Sequence, residues 1–280
     1  MYDLHGLAVR NEESVRERYA DERASLPPAE TELLERFRAC VAARGRVVVN
    51  MKPAALAAVM DGQPYLNMHE VAHQKAVRSG RTEDESLRKL LGEWYERRMT
   101  FDGLFANGRE FRYGALSIGG TGPTQFGYYS VVLHDIGGQT DSGEVYVRQD
   151  SLSDAYHPRP HVVDMDAFGA DLATHSTRGD LAGAKLADRV PKAPESTWPS
   201  ILCGGDLGRG YVEVIFRTDV TSDSFRVIRI PRGEYRRLRN MTYGTALRRR
   251  KLDRRARLEV RAFTAVATAQ DKGSHEVERV

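Results

Sequence analysis

The spacing of hydrophobic and polar positions changes near residue 100. Before that point the pattern predicts helices over residues 12–24, 29–44, 54–62 and 82–99, and the second of these begins after a proline and stops at a glycine. Among them "RVVVN" (46–50) is a short β-branched run, typical of a buried strand. The first part of the chain is therefore predicted to be mainly helical.

After residue 100 the pattern favours strands separated by glycine-rich turns. The predicted strands are "FRYGALSIGG" (111–120), "QFGYYSVVLHD" (125–135), "GEVYVRQ" (143–149), "GYVEVIFRTDV" (210–220) and "FRVIRIP" (225–231). Residues 176–200 are polar and contain three prolines, which predicts a loop or lid. A basic helix is predicted over 245–263, and the last dozen residues are expected to fray. The fold class predicted is α+β, with helices first and a strand-rich second half.

Composition narrows the class of protein. The chain has 280 residues, 41% of them hydrophobic, enough for a sizeable core. No apolar run approaches the length of a bilayer span, and the first residues do not resemble a secretory signal. The two cysteines, Cys40 and Cys203, are too few for a disulfide framework. These features predict a cytoplasmic protein without a membrane partner.

Positive charge is concentrated in residues 226–261. This segment holds 14 Lys and Arg against three acidic residues, about +11, whereas the whole chain is only +3. Such asymmetry favours an anionic macromolecular partner, either nucleic acid or an acidic protein. A solvated, arginine-rich helix face is the alternative.

The stretch "HEVAH" matches the His-Glu-x-x-His pattern of zinc peptidases. On a helix, His69 and His73 lie one turn apart and can both reach a zinc ion, with Glu70 as general base. Against this, Pro64 leaves little room for a helix already running at His69, and no specific third ligand follows. A zinc peptidase therefore stays an alternative interpretation.

A second group of potential metal ligands lies between residues 157 and 175. It comprises His157, His161, Asp164, Asp166 and His175. Intervening prolines prevent the first two histidines from sharing a helix face. Surface histidines on a polar loop are the simpler interpretation.

Six segments in order resemble an uncharacterised bacterial family, domain-of-unknown-function family 3626. They are "VVVNMKP" ending at residue 53, "MDGQPYLNMHEV" (60–71), "FRYGALSI" (111–118), "GPTQFGYYSVVL" (122–133), "VRQDSL" (147–152) and "GYVEVIFRTDV" (210–220). The resemblance divides the chain into an N-terminal helical segment (1–44), a catalytic domain (45–225) and a basic C-terminal segment (226–280). In that family an aromatic residue precedes the glutamate matching Glu70, so the zinc motif would be accidental.

The layout of these segments looks like the ADP-ribosyltransferase fold, a split sheet that binds NAD in a cleft. The resemblance implies that Glu213 is the catalytic carboxylate, supported by Glu70. Its implied NAD-binding residues are Asn50, Lys52, Tyr113, Gly114, Ser117, Tyr128, Asp150 and Ser151. Family members tend to have His and a downstream Arg where this chain has Lys52 followed by Pro53. That departure affects the first catalytic position.

The chemistry of the residues agrees with such a role for Glu213. Loss of nicotinamide from NAD leaves positive charge on the ribose, which a fixed carboxylate stabilises. Glu213 lies within an almost wholly apolar strand, where an acid is costly unless it is paired or functional. It could instead face solvent or pair with an arginine. Three hypotheses follow: an NAD-dependent ADP-ribosyltransferase-like enzyme with a macromolecular target, a zinc peptidase, and a non-catalytic nucleic-acid-binding protein.

Overall fold

The computed structural model describes residues 1–135, 143–204, 210–248, 254–271 and 275–279. The described helices are α1 (Leu4–Arg10), α2 (Glu12–Ala24), α3 (Pro28–Arg44), α4 (Pro53–Met60), α5 (Met68–Ser79), α6 (Glu83–Leu91), α7 (Tyr95–Gly103), α8 (Met165–Ala170), α9 (Arg178–Leu186), α10 (Trp198–Leu202), α11 (Arg232–Arg248) and α12 (Arg254–Asp271). In these ranges no helix is both long and apolar enough to cross a membrane.

Eight strands form a single sheet. They are β1 (Arg46–Met51), β2 (Arg112–Ser117), β3 (Tyr129–Leu133), β4 (Val145–Val147), β5 (Leu172–Ala173), β6 (Glu213–Phe216), β7 (Phe225–Ile230) and β8 (Glu276–Arg279). Their order is β5-β4-β6-β2-β1-β3-β7-β8, and every pair is antiparallel except β7 with β8. The α+β prediction is confirmed. The predicted split is not seen, because the strand pairing runs unbroken across the sheet.

The β-branched run near residue 47 forms the centre of the sheet, as predicted. Val48 pairs with Ala115 of β2 on one side and Val132 of β3 on the other. It is fully buried. Because β-branched side chains pack well on a pleated surface, this short run suits a central strand. Residues of this strand and of the strands paired with it contribute to the candidate site.

The sheet separates two apolar cores. Side chains such as Val214 and Phe216 pack into the larger core, where helices α3, α4, α9 and α12 contribute. Val147 and Ile215 point to the opposite face and pack with Phe101 of α7 and Phe168 of α8. Successive residues of a strand point to opposite faces, so this alternation assigns every β6 side chain to one of the two cores.

The prediction of a loop over 176–200 is wrong for its first half, which forms α9. This helix is almost wholly buried against α2 and α3. A methyl group at Gly179 would lie 2.9 Å from the Arg38 carbonyl oxygen, and one at Gly183 would lie 2.7 Å from the Tyr19 ring. The two glycines therefore allow close helix packing, which a polar, proline-rich composition concealed.

The single helix predicted over 82–99 is two helices. Gly92 separates α6 from α7 with φ 57° and ψ −124°, a conformation that is open to glycine and strained for other residues. A turn of 3₁₀ helix follows before α7 begins at Tyr95. The break changes the direction of α7, whose buried face supplies two side chains of the candidate site.

The C-terminal part also differs from its prediction. Instead of one basic helix there are two, α11 and α12, on either side of residues 249–253, which lie outside the described ranges. The expected frayed end contains β8, which pairs in parallel with β7 and contributes Glu278 to an ion pair with Arg229 at 2.5 Å. The segment from residue 226 therefore continues the same sheet as the rest of the chain.

Candidate functional site

Glu213 begins β6 in the middle of the sheet. It lies between Ala115 of β2 and Val147 of β4, and it points to the face that carries Ile215. The residue is only 3% exposed. The alternative of a solvent-facing glutamate is therefore wrong. The Glu213 carboxyl group is buried on the side of the sheet that carries the smaller core.

The surroundings of Glu213 raise its pKa to about 8. Burial is the main cause, and the nearby Asp150 carboxylate raises the pKa further. The Arg98 guanidinium and the Ser151 backbone act in the opposite direction. The Ser151 N–H donates to a Glu213 carboxylate oxygen at 2.8 Å. The group therefore changes protonation near neutral pH, a property typical of groups that transfer protons or stabilise charge.

Asp150 sits in a tight turn after β4 and is held on both oxygens. The Tyr211 hydroxyl donates to Oδ2 at 2.7 Å, and the Leu152 N–H donates to Oδ1 at 2.8 Å. Burial raises the pKa of Tyr211, and the neighbouring carboxylates raise it further, so the phenol keeps its proton. The two hydrogen bonds therefore hold the Asp150 side chain in place beside Glu213.

Ser151 connects Glu213 to a buried histidine. The His157 Nε2–H donates to the Ser151 carbonyl oxygen at 3.0 Å. Burial lowers the pKa of His157, which favours the neutral imidazole. The Ser151 side chain also interacts with the Glu213 carboxyl group and lowers its pKa, whereas His157 Nδ1 is buried without a hydrogen-bond partner among the described residues.

Arg98 and Asp102 of α7 complete the cluster, because α7 packs on the same face of the sheet as Glu213. The Arg98 guanidinium lies 3.9 Å over the Tyr113 ring centroid and 3.5 Å from Asp102 Oδ1. The Tyr113 hydroxyl donates to the same oxygen at 2.8 Å. Both α7 side chains are almost fully buried. An arginine on a tyrosine face, paired with a carboxylate, is a stable way to hold a cation in a core.

His69 belongs to this cluster and not to a metal helix. Its Nε2 lies 2.8 Å from Asp102 Oδ2, and its ring is buried. His73, one turn further along α5, is 68% exposed and lies 3.6 Å from Glu83. Among the described residues, no cluster of three metal-ligating side chains includes either histidine. The geometry therefore gives the zinc peptidase alternative no support.

Glu70 caps α5. Its carboxylate accepts the Asn67 N–H at 2.6 Å while the Asn67 side chain accepts the Glu70 N–H at 2.9 Å, a complete capping box. It also lies 3.4 Å from Arg112. These contacts account for its carboxylate at the start of the helix. They do not bring Glu70 to Glu213.

Asn50 and Ser117 hold the glycine-rich turn between β2 and β3. The Asn50 amide donates to the carbonyl oxygens of Thr121 at 2.9 Å and Gly127 at 2.8 Å. The Ser117 hydroxyl donates to Gly120 at 3.1 Å. Asn50 Oδ1 is buried and has no partner among the described residues. Asn50 Oδ1 could therefore accept a hydrogen bond from a ligand hydroxyl.

Three further predicted residues have separate environments. Lys52 is exposed and precedes α4. A methyl group at Gly114 would lie 2.8 Å from the Val48 carbonyl oxygen, so glycine permits close approach of β1 and β2. Tyr128 packs on Tyr129 at 4.7 Å between ring centroids, and burial raises its pKa to about 12. Of the three, only Gly114 lies on a strand paired with β6, opposite Val214.

One face of the sheet nevertheless gathers much of the predicted set. Paired residues of adjacent strands point the same way, and so do residues two apart on one strand. The pairing of Glu213, Ala115 and Val48 therefore defines one row. Tyr113, Ser117 and Asn50 lie two residues from that row and share its face.

Two residues of the cluster escape detection from sequence because they come from a helix more than 100 residues before Glu213. Their signal is a charged pair at positions i and i+4, Arg98 and Asp102, beside the apolar Phe101. Tyr211 was outside the predicted set, and His157 was predicted only as a potential metal ligand or a surface histidine. The surface interpretation is wrong for His157, which is 2% exposed. The spacing of apolar residues in α7 indicated which face of the helix is buried. It could not show which strand that face covers.

No protein-family model, curated protein or solved structure matches this chain. The resemblances to family 3626 and to the ADP-ribosyltransferase fold therefore stay predictions.

Proposed function

We propose that the chain is an NAD-dependent ADP-ribosyltransferase-like enzyme with Glu213 as its essential carboxylate. The observation that carries the proposal is a buried carboxyl group with a pKa near neutrality, surrounded by polar atoms that lack partners among the described residues. Buried polar atoms in proteins are almost always hydrogen-bonded. Their concentration around Glu213 and Asp102 is the expected mark of a site that receives polar ligand groups or water.

The unpartnered atoms suit a sugar with several hydroxyl groups. His157 Nδ1 belongs to the histidine that bonds Ser151 beside Glu213, and Asn50 Oδ1 lies on the same face of the sheet. Hydroxyl groups donate and accept, so they can pair with each of these atoms. Tyr113 and Tyr211 belong to the same cluster, with Arg98 over the Tyr113 ring and the Tyr211 hydroxyl on Asp150. The hydrogen-bonding groups present therefore suit the ribose portion of NAD.

Glu213 acts in its ionised form. When the bond between nicotinamide and C1′ of the ribose breaks, nicotinamide takes the bonding electrons and the ribose becomes positively charged. An ionised carboxylate stabilises this charge in a low-dielectric surrounding more strongly than water does. A nucleophile of the target then bonds to C1′ and releases its proton. Because the pKa of Glu213 is about 8, the active fraction rises through neutral pH.

Access to Glu213 depends on the turn after β4. The carboxylate is 3% exposed and already accepts the Ser151 N–H. A ribose hydroxyl reaches it only when the Ser151 N–H releases the carboxylate. The turn from Asp150 to Ser153 stays beside Glu213, so the released Ser151 N–H is then available to the ligand.

We assign binding of the macromolecular target to the basic segment 226–261. Arg232, Arg236 and Arg239 of α11 and Arg257 of α12 are exposed. Exposed arginines attract phosphate or carboxylate groups over a range set by salt. The target is therefore an anionic macromolecule, either nucleic acid or an acidic protein.

The test compares two carboxylate-to-amide variants. Glu213→Gln keeps the shape of the side chain but removes its charge, so nicotinamide release from NAD is expected to fall by about 100-fold or more. Asp180→Asn is the matched control, because Asp180 is equally buried at 3% exposure but pairs with Arg38, outside both the candidate site and the basic segment. Nicotinamide release is measured by chromatography with and without a cell extract as target. Equal rates in Glu213→Gln and wild type would overturn the proposal.

A further inference from the structure

A second cluster of ionisable groups lies at the ends of three strands, separate from Glu213. Asp135 follows β3, Glu144 precedes β4, and His175 follows β5. Asp135 and Glu144 are close in sequence, and His175 follows Glu144 by 31 residues. Each offers one ligand atom, and these atoms lie within 4.8 Å of one another.

Glu144 is the buried member of this cluster. Its side chain is 3% exposed. One carboxylate oxygen, Oε1, lies 2.6 Å from His175 Nδ1 and accepts the Tyr146 hydroxyl at 2.8 Å. The other oxygen, Oε2, is buried and has no partner among the described residues. A bare carboxylate oxygen out of water is unfavourable unless a cation occupies its lone pairs.

One separation in the cluster suits an ion. His175 Nε2 lies 4.0 Å from Asp135 Oδ1, too far for a hydrogen bond. Zinc binds imidazole nitrogen and carboxylate oxygen at about 2.0–2.2 Å, so two ligand atoms of one ion lie about 3–4.3 Å apart. His175 Nδ1 and Glu144 Oε1 are closer, at 2.6 Å, so an ion bound by all three residues would replace this hydrogen bond.

The chemical groups of the cluster also favour a cation. Two carboxyl groups and one imidazole meet there, and the nearest described guanidinium at Asp135 is Arg46, at 3.7 Å. Arg178 binds the His175 carbonyl oxygen through its side chain, which fixes the histidine backbone. Imidazole with carboxylates is a ligand set for zinc and manganese and leaves coordination positions for water.

We propose that Asp135, Glu144 and His175 bind one divalent transition-metal ion, zinc or manganese. The ion joins the end of β3 to the start of β4 and the end of β5, three points that are spread across the sheet. A ligand that binds only the folded chain raises its stability in proportion to occupancy. Metal binding should therefore raise the melting temperature as well as appear in a binding assay.

The experiment uses full-length protein stripped with a chelator and then freed of it. ZnCl₂ and MnCl₂ are titrated separately by calorimetry, and thermal unfolding is followed with and without each ion. About one ion per chain is expected for wild type. Asp135→Asn and His175→Ala should weaken binding by tenfold or more. Asp135 is largely exposed, so its variant tests the site without disturbing the core.

His73→Ala is the matched control, because it removes an exposed histidine outside the cluster. Its binding should equal that of wild type. If neither ion binds to wild type, or if Asp135→Asn and His175→Ala both bind as wild type does, the proposal is overturned. Loss of binding in His73→Ala alone would overturn it too and would move the ion to α5.

Discussion

The protonation of Glu213 ties the stability of the fold to pH. Its pKa rises from an ordinary value of 4.5 to about 8 in the folded protein. Between these values the folded chain holds a proton that the unfolded chain has lost. Stability therefore falls as pH rises through this window, because the unfolded state binds fewer protons.

We expect Glu213→Gln to remove this dependence. The glutamine cannot ionise, so the difference in unfolding free energy between the variant and wild type should move in favour of the variant as pH rises. The change should be on the order of 1 kcal/mol for each pH unit between pH 5 and 8. Urea unfolding at several pH values measures it. A constant difference would show that the carboxyl group is not buried in the way described.

Among the helices, α9 shows how small residues decide packing. Gly183 faces Tyr19 of α2, and Gly179 faces the backbone of α3. Helices α2 and α3 both contact α9 extensively, on the side of the sheet that carries the larger core. A side chain at either position would push two helices apart, so the glycines set the distance between these elements.

Gly183→Ala should therefore destabilise the protein by about 1–3 kcal/mol through overpacking. Gly169→Ala in α8 is the comparison, since a methyl group there has no atom within 4 Å. Alanine favours helix over glycine by about 1 kcal/mol, so this variant should be neutral or stabilising. Thermal unfolding of the two variants measures the contrast. Equal effects would mean that α9 does not approach Tyr19 closely.

Over the whole molecule, the basic segment carries less free charge than its composition suggests. Arg237 pairs with Glu234 and Glu259, each at 2.9 Å, and Arg229 pairs with Glu278. The arginines that remain exposed on α11 include Arg232 and Arg236. Partner binding through this segment depends on these exposed groups.

Replacing Arg232, Arg236 and Arg239 together by Gln should weaken polyanion binding. On immobilised heparin the variant should elute at clearly lower salt than wild type, because fewer counterions are released on binding. Nicotinamide release without a target should stay at the wild-type rate. Glu213 lies on β6, whereas α11 follows β7, and these two strands are not neighbours in the sheet.

The control replaces Arg44, Arg78 and Arg81, three exposed arginines outside the segment, and makes the same change in net charge. Its elution should stay close to that of wild type. If both triple variants elute alike, net charge rather than the α11 surface determines binding.

The sequence predicted the central strands well and the site only in part. Runs such as the one containing Val48 are decided locally by β-branched residues, and Glu213 stood out because apolar neighbours surround it in the chain. Arg98 and Asp102 reach the cluster only because Gly92 redirects α7 and the sheet places β6 beneath it. Such long-range placement leaves no periodic signal.

The contact between His69 and Asp102 changes what mutagenesis of "HEVAH" can reveal. Asp102 is shared by His69, Tyr113 and Arg98, so His69 pins helix α5 to the centre of the buried cluster. Replacing His69 by Ala leaves a buried carboxylate short of a partner and disturbs three elements at once. Inactivity of that variant would look like loss of a catalytic metal ligand, although it would report only a broken internal support. For this chain the exposed His73 is the informative member of the motif.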